Sequence, residues 1–304
     1  MDWTKYDLLD LSQLTQKDIY KIFETARSFK EVSSRDVKKV PALRGKTVVM
    51  LFFEPSTRTR VSFEIAAKRL SADTLNISGS TSSLSKGETI VDTVKNIEAM
   101  NVDLIVVRHN VSGAPITLSE NIESCVVNAG DGCRSHPTQA LLDMFTIQEH
   151  FGKIAGLKVG IVGDVLHSRV ARSNIVGLIN MGAEVTVCGP ATLVPKDIEV
   201  MGVDVCYDID EVVKESDVLI MLRLQKERQE ECFLPSIREY VRYFGINKDR
   251  LKKAKKDILL MHPGPTNRGI EISAEVADSS NSVILDQVTN GVAIRMAVLY
   301  LLLT

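Results

Sequence analysis

The chain has 304 residues, which at roughly 150 residues per domain predicts two domains. Lys and Arg number 37 against 39 Asp and Glu, a formal net charge of −2. Proteins that bind nucleic acid regardless of sequence carry a basic surplus, so that class is excluded. The hydrophobic fraction of 44% is too high for a disordered chain and sufficient for more than one core.

The sequence carries no signal for export or for a membrane. No apolar run approaches the roughly 18 residues of a membrane span, and the first residues are polar, without the apolar centre of a leader peptide. The five cysteines are odd in number and contain no C-x-x-C pair. We therefore predict a cytoplasmic protein with reduced thiols, no disulfide framework and no zinc site.

Short apolar runs, each four to seven residues long, recur along the chain. The runs are Thr47–Phe53, Thr74–Ile77, Asp103–Val107, Cys125–Asn128, Lys158–Val162, Glu184–Cys188, Val218–Leu222 and Asp257–Met261. Unbroken apolar strands of this length are typical of a parallel sheet covered on both faces. Helical patterns lie between them, for example Arg60–Leu70, Glu88–Met100 and Val170–Met181. The alternation predicts an α/β fold of doubly wound units.

The eight runs divide into two groups of four, separated by the long helical pattern Pro137–His150. We therefore predict two doubly wound parallel-sheet domains joined by that helix, with the boundary near Gly152. A last helix, Val292–Leu303, is too apolar to stand alone in water, and we expect it to return to the first domain. The predicted domains are residues 1–151 with 290–304, and residues 152–289.

Positive charge gathers at the predicted strand ends, where ligands of open α/β sheets bind. Six of the eight ends carry an arginine or a histidine, although the chain is slightly acidic overall. These residues include Arg58, Arg108, His136, Arg169, Arg223 and His262. The pattern indicates small substrates that bear several negative charges.

The first strand end is the most informative. Ser56 and Thr57 are candidate N-caps of the next helix, whose free amides and positive dipole end would point outward. Arg58 and Thr59 add a guanidinium fork and a hydroxyl, which together suit a phosphate group. The alternative is an ordinary capped helix with solvated arginines.

Two further residues of the first half have alternative interpretations. Arg108 directly follows a buried strand and needs an anionic partner, either a substrate or an internal carboxylate. His136 stands before Pro137 at the start of a helix, where it either packs or, as a neutral imidazole, donates a hydrogen bond to a carbonyl oxygen.

In the second half, Arg169, Arg223 and Gln225 suit carboxylates as a set, although each alone could be a surface residue.

The serine-rich segment 78–87 of the first half has little to bury and carries Lys86. We expect a mobile loop, in which Lys86 is either solvated or part of a lid.

Several motifs are absent from the sequence. It contains no Walker A segment, no G-x-S-x-G elbow and no His, Asp or Glu cluster with metal-ligand spacing. The glycines Gly160 and Gly163 only faintly match the dinucleotide fingerprint, so a nicotinamide enzyme is a weak alternative. We predict neither a cofactor nor a metal.

Five segments together resemble one family. They are F-F-E-P-S-T-R-T-R at 52–60, V-R-H at 107–109, N-A-G-D-G at 128–132, H-P-T-Q at 136–139 and R-L-Q at 223–225, with M-H-P-G-P at 261–265 in addition. In this order they are similar to the aspartate and ornithine carbamoyltransferases, and most to the catalytic chains of the aspartate enzymes. The resemblance runs from about residue 50 to residue 295, nearly the whole chain.

The resemblance implies a carbamoyl-phosphate-binding first domain, an aspartate-binding second domain and a homotrimer with active sites shared between subunits. The residues that it implies for the phosphate are Ser56, Thr57, Arg58 and Thr59. For the carbonyl oxygen it implies Thr59, Arg108 and His136, and for the carbamoyl amino group Gln139 with the backbone at Gly264 and Pro265. For aspartate it implies Arg169, Arg223, Gln225 and Lys86. It also implies that Ser82 and Lys86 reach the active site of the neighbouring subunit. Lys86 counts among the implied catalytic residues.

The resemblance thus implies transfer of a carbamoyl group to L-aspartate in pyrimidine biosynthesis, without a covalent enzyme intermediate. The alternative is a carbamoyltransferase for ornithine or another amino acid, although Pro263 follows His262 where ornithine enzymes have Cys, and no S-M-G loop is found. A non-enzymatic anion-binding protein of two α/β domains is a further alternative. A regulatory chain or a dihydroorotase partner is left open.

Overall fold

The computed structural model describes residues 7–78, 88–225 and 236–304. These residues form two compact units. The first consists of Met1–Leu142 and Thr289–Thr304, and the second of Asp143–Val288. The division falls within a helix, α5 (Pro137–Phe151), whereas the boundary that we predict near Gly152 falls just after that helix ends.

The first unit is built on a four-stranded parallel sheet with the order β2-β1-β3-β4. The strands are β1 (Thr47–Phe52), β2 (Asp73–Ser78), β3 (Leu104–His109) and β4 (Cys125–Asp131). The helices are α1 (Gln16–Ser33), α2 (Thr57–Arg69), α3 (Ile90–Glu98) and α4 (Ala114–Ser119). Parallel neighbours require crossover connections, and here helices supply them.

The core of the first unit lies around β1 and β3, whose central residues are fully buried. Side chains of α3 such as Val94 and Ile97 pack against strand residues such as Val49 and Ile105. Residues buried on both faces of a sheet account for the unbroken Val, Ile and Leu runs of the sequence.

The second unit contains a five-stranded parallel sheet with the order β7-β6-β5-β8-β9. The strands are β5 (Lys158–Val162), β6 (Glu184–Cys188), β7 (Asp204–Cys206), β8 (Val218–Met221) and β9 (Leu259–Met261). The helices are α6 (Arg169–Asn180), α7 (Ile209–Glu215), α8 (Ile237–Phe244), α9 (Lys248–Leu251) and α10 (Ala274–Ala277). A short 3-10 turn covers Ile198–Met201.

The last helix, α11 (Ile284–Leu303), ends in the first unit, as predicted. Its Tyr300 ring lies edge-on to Phe29 of α1, with 5.5 Å between ring centroids. The helix begins at Ile284, before the predicted start at Val292. Its first turns alternate apolar side chains with Asp286 and polar amides, and Leu285 is 80% exposed, so the apolar pattern becomes continuous only later.

The predicted fold class is confirmed: both sheets are parallel and helices connect their strands. Two strands, β5 and β6, have the predicted bounds. The structure adds β7, a three-residue edge strand whose alternating sequence has no apolar run. Among the described helices, none combines the length and apolar character that crossing a bilayer requires.

Candidate functional site

The residues predicted to hold a phosphate open helix α2 in the first unit. Ser56 is the N-cap residue and Thr57 the first residue of the helix. The Ser56 side chain makes no capping hydrogen bond, so its hydroxyl is not used to close the helix end. Arg58 is exposed and Thr59 is buried. A helix N-terminus with a hydroxyl and a guanidinium nearby provides donors and positive charge for an anion.

Arg108 lies near the end of β3, and its side chain is largely buried. Its Nη2 donates to Glu54 Oε1 at 2.8 Å, and its Nη1 donates to the Ala129 carbonyl at 3.0 Å. The internal ion pair that the sequence left open is therefore present. Glu54 belongs to the segment between β1 and α2, so the pair places the guanidinium beside the start of the candidate phosphate site.

A buried hydrogen-bond network shapes the turn between β4 and His136. Asn128 Nδ2 donates to Asp131 Oδ1 at 2.8 Å, and the Ser135 amide donates to the same oxygen at 3.1 Å. The other oxygen of Asp131 accepts from the Gly113 amide at 2.7 Å. The Asp131 carboxylate thereby fixes the backbone that leads into α5.

His136 is only 4% exposed and stands immediately before α5. Burial lowers the pKa of its imidazole well below 6.5, and the nearby charges of Arg108 and Arg295 lower the pKa further. The ring is thus neutral at physiological pH. A neutral imidazole can donate one hydrogen bond to a carbonyl oxygen without carrying charge itself.

Arg295 is a residue of this site that the sequence analysis missed. It lies on α11, where Nη1 donates to Ser62 Oγ at 2.8 Å and the guanidinium lies 5.1 Å from the centroid of the Phe63 ring. Its side chain is buried. The sequence did offer one signal for Arg295, since it is an arginine within a helix that we predict to be almost wholly apolar.

In the second unit, Arg169 is the first residue of α6 and is 3% exposed. The Ser168 hydroxyl caps this helix by accepting from the Ala171 amide at 3.1 Å. Just before it, the buried Asp164 carboxylate lies 2.9 Å from Nδ1 of His167. The segment between β5 and Arg169 is therefore held by both a helix cap and a buried carboxylate.

Arg223 and Gln225 follow β8, the strand that pairs with β5. The Leu224 amide between them donates to Glu271 Oε1 at 2.7 Å. Glu271 is fully buried, and burial raises the pKa of its carboxyl group. Because β5 and β8 are adjacent and parallel, Arg169 and Arg223 follow the same edge of this sheet. Sequence reasoning missed Asp164 and Glu271, since neither stands in a motif with the arginines.

Gly264 and Pro265 follow β9, which pairs with β8. The Gly264 amide donates to Nδ1 of His262 at 2.8 Å, and Gly264 has a positive φ of 64° that glycine adopts without strain. The predicted residues Ser82 and Lys86 lie outside the described residues. Within the described ranges, no group of three or more His, Cys, Asp or Glu side chains could hold a metal ion.

The structure therefore brings Arg108 and His136 together in the first unit, beside the segment that leads to Ser56. In the second unit it places Arg169, Arg223 and the residues after β9 on adjacent strand ends. Gln139 lies in the first turn of α5 and is buried.

Sequence comparison identifies the family. Residues 6–149 match the carbamoyl-P binding domain of aspartate/ornithine carbamoyltransferase, and residues 155–302 match its Asp/Orn binding domain. The chain belongs to the aspartate/ornithine carbamoyltransferase family, which confirms the resemblance of its motifs.

Relatives of known name lie within this family. The aspartate carbamoyltransferase catalytic subunit of Syntrophus aciditrophicus is 58% identical over 302 residues, which cover 99% of this chain and 98% of that protein. The subunit of the same name from Syntrophobacter fumaroxidans is also 58% identical, covering 99% of each chain.

Solved structures of aspartate and ornithine carbamoyltransferases are similar to this chain over nearly its whole length. The aspartate transcarbamoylase of Trypanosoma cruzi in complex with carbamoyl phosphate is similar with a TM-score of 0.91 and 30% identity, covering 99% of this chain and 97% of that one. The ornithine carbamoyltransferase of Pyrococcus furiosus is similar with a TM-score of 0.89 and 35% identity, covering 100% and 98%.

Proposed function

We propose that this chain transfers the carbamoyl group of carbamoyl phosphate to the amino group of L-aspartate, giving N-carbamoyl-L-aspartate and phosphate in de novo pyrimidine biosynthesis. The observation that carries the proposal is the 58% identity to aspartate carbamoyltransferase catalytic subunits along 99% of the chain.

In this proposal the first unit binds carbamoyl phosphate. Ser56, Thr57, Arg58 and Thr59 hold the phosphate at the N-terminus of α2, where the helix dipole and free amides favour an anion. The uncapped state of this helix supports the assignment, because the Ser56 hydroxyl remains available for a ligand.

The carbonyl oxygen of the carbamoyl group is assigned to Arg108, His136 and Thr59. The neutral His136 donates a hydrogen bond, and Arg108 supplies positive charge at a place where Glu54 already fixes the guanidinium. Such donors stabilise an oxygen that becomes negative in the transition state. Gln139 and the backbone at Gly264 and Pro265 are assigned to the amino group of the carbamoyl moiety.

The amino acid is assigned to the second unit. Arg169 and Arg223 bind the two carboxylates of aspartate, with Gln225 assisting, because an arginine fork matches a carboxylate in a bidentate manner. The buried carboxylates of Asp164 and Glu271 support this assignment, since they fix the segments that carry these side chains.

The reaction then needs no covalent enzyme intermediate. The neutral amino group of aspartate attacks the carbamoyl carbon, and the C–N bond forms as the carbonyl electrons move onto oxygen. When the tetrahedral oxyanion collapses, the C–O bond to phosphate breaks and phosphate leaves with that electron pair. The proton of the new ammonium group passes to the departing phosphate. The protein contributes positioning and charge neutralisation.

We further propose a homotrimer in which Ser82 and Lys86 reach the active site of the neighbouring subunit and Lys86 also contacts aspartate. A cytoplasmic location belongs to the same proposal. Cys125, Cys188 and Cys206 are thiols rather than half-cystines, which suits a reducing compartment.

A transferase for ornithine is the second candidate, supported by the 35% identity to the Pyrococcus furiosus enzyme. A product assay separates the candidates: carbamoyl phosphate is supplied with aspartate or with ornithine, and carbamoyl aspartate, citrulline and phosphate are measured. We expect carbamoyl aspartate from aspartate alone. Citrulline would overturn the aspartate assignment and keep the phosphate site, whereas neither product would favour the anion-binding protein.

A further inference from the structure

We propose that His262 is a positioning residue that fixes the Pro263-Gly264-Pro265 turn through its Nδ1 atom. This inference rests on the proposed function, because it concerns the backbone assigned there to the carbamoyl amino group. His262 belongs to a buried chain of hydrogen bonds in the second unit, and no role in the reaction was assigned to that chain above.

The ring of His262 holds the turn from within. The Gly264 amide donates to Nδ1 at 2.8 Å, so Nδ1 carries no proton and the imidazole is neutral with its proton on Nε2. This hydrogen bond joins the side chain of His262 to the backbone amide two residues later. It therefore sets the orientation of the Gly264 peptide group directly.

The backbone of His262 is held from the other side. Its amide donates to Gln287 Oε1 at 3.0 Å, and Gln287 Nε2 donates to Asp143 Oδ1 at 2.8 Å. The second oxygen of Asp143 accepts from Asn174 Nδ2 at 2.8 Å. The chain of hydrogen bonds thus runs from α6 through α5 and α11 to the strand end of β9.

The donors and acceptors in this series of hydrogen bonds can be arranged in only one way. The His262 amide can only donate, so Gln287 must turn its side-chain oxygen toward that amide and its NH₂ group toward Asp143. All four residues, His262, Gln287, Asp143 and Asn174, are buried, and the most exposed of them, Gln287, is only 3% exposed. Because buried polar groups are costly to leave unsatisfied, an alternative turn that broke these bonds would be disfavoured.

Two variants of His262 distinguish this role from simple packing. In His262→Asn the side-chain oxygen takes the place of Nδ1, whereas in His262→Gln the amide reaches only the place of Nε2. Both variants are polar and of similar size, so they form a matched pair. We expect the Asn variant to keep the bond to the Gly264 amide and the Gln variant to lose it.

Amide hydrogen exchange measures the bond independently of activity. Pro263 and Pro265 have no amide hydrogen, so residues 262–265 contain only two, those of His262 and Gly264. We expect both to be protected in the wild type and in His262→Asn, and only one in His262→Gln. Unchanged exchange over the rest of the chain reports that each variant is folded.

Steady-state kinetics measure the consequence for the reaction. We expect His262→Gln to lower kcat/KM for carbamoyl phosphate on the order of 10- to 100-fold, the cost of misplacing a binding group by about 1 Å. The KM for aspartate should change little, and His262→Asn should restore kcat/KM to within about threefold of the wild type.

The outcomes separate the two hypotheses. A wild-type protein that forms no carbamoylated amino acid overturns the proposed function and this role with it. An active wild type whose Gln variant retains kcat/KM, or whose Asn and Gln variants are equally impaired, overturns the role of Nδ1 alone. A His262→Gln variant in which the amides of His262 and Gly264 both stay protected from exchange would also overturn the role of Nδ1 alone.

Discussion

The Leu224 amide donates to Glu271 Oε1 across 2.7 Å, and both residues are buried. Asn267 donates to the same carboxylate through its amide and its side chain, at 3.0 Å and 2.6 Å. Glu271 therefore ties the backbone between Arg223 and Gln225 to the segment after β9. The two side chains proposed to meet aspartate are held by a carboxylate that cannot itself reach solvent.

Glu271→Gln should weaken aspartate binding. The Glu271 carboxylate now accepts three hydrogen bonds, from the Leu224 amide and from the amide and side chain of Asn267. A carboxamide has only one acceptor oxygen, so its NH₂ group would face at least one of these donors and that hydrogen bond would be lost. We expect the KM for aspartate to rise by about tenfold, the effect of roughly one lost hydrogen bond, with the KM for carbamoyl phosphate unchanged. A rise in the KM for carbamoyl phosphate alone would contradict the proposed link to Arg223.

Arg223→Met should produce a larger effect of the same kind. Methionine keeps much of the side-chain volume and removes the guanidinium, so a substrate carboxylate loses its charged partner. We expect kcat/KM for aspartate to fall on the order of 100-fold, consistent with roughly 3 kcal/mol for a charge-assisted contact. Arg238, exposed on α8, provides a control in Arg238→Met. Equal losses in the two variants would argue against a specific role.

Arg58→Ala should reduce turnover without unfolding the protein, because Arg58 is exposed at the start of α2. Loss of one transition-state donor typically costs about 10²- to 10³-fold in kcat. Lys68→Ala, on the same helix, removes an exposed charge that pairs with Glu64 and should leave kcat near the wild-type value. Near-normal turnover of Arg58→Ala would overturn the phosphate assignment.

His136 should make stability depend on pH. Its folded-state pKa lies well below 6.5, so below that pH the unfolded chain binds a proton that the folded chain does not. The free energy of unfolding should therefore fall as the pH is lowered from about 6.5 toward the folded-state pKa, by up to about 1.4 kcal/mol per pH unit. The measurement is denaturant unfolding at pH 7.5 and 5.5.

His136→Gln is the control for that measurement, because it removes this titration and leaves the other histidines. The pKa of His109 is also lowered by burial, so part of the pH dependence should remain in the variant. If wild type and variant lose the same stability between the two pH values, His136 is not held neutral.

Mixed trimers should reveal whether active sites are shared. Arg58→Ala and Lys86→Ala are each expected to be inactive, and a hybrid of the two contains some sites that carry neither change. Reassembly of the two variants should recover part of the wild-type turnover in a product assay, whereas each variant reassembled alone should not. Hybrids without recovery would place Arg58 and Lys86 in the same subunit's site.

Sequence patterns predicted the parallel α/β architecture well, because strands buried on both faces must be apolar throughout. They also placed His136 directly before α5 and Arg108 close to the end of β3, although β3 runs two residues past the predicted end at Val107 and so contains Arg108. The strand β7 and the early turns of α11 escaped because neither has a continuous apolar pattern.

The supporting residues could not be predicted in the same way. Glu54 and Arg295 act on Arg108 and His136 through contacts between distant parts of the chain, and Asp143 meets Gln287 across 144 positions. A lone carboxylate or amide in a helix has no local signature of burial. Only the folded topology brings such residues to the groups that they orient.

The outer edge of β4 is occupied by the beginning of the described chain. The Val126 amide donates to Asp7 Oδ1 at 2.6 Å, the Leu8 amide donates to the Val126 carbonyl at 2.9 Å, and the Asn128 amide donates to the Leu8 carbonyl at 2.9 Å. An uncovered edge strand invites pairing with the edge of another molecule. The few residues around Leu8 therefore cover this edge, and we expect a truncation that removed them to leave β4 open to pairing with other molecules.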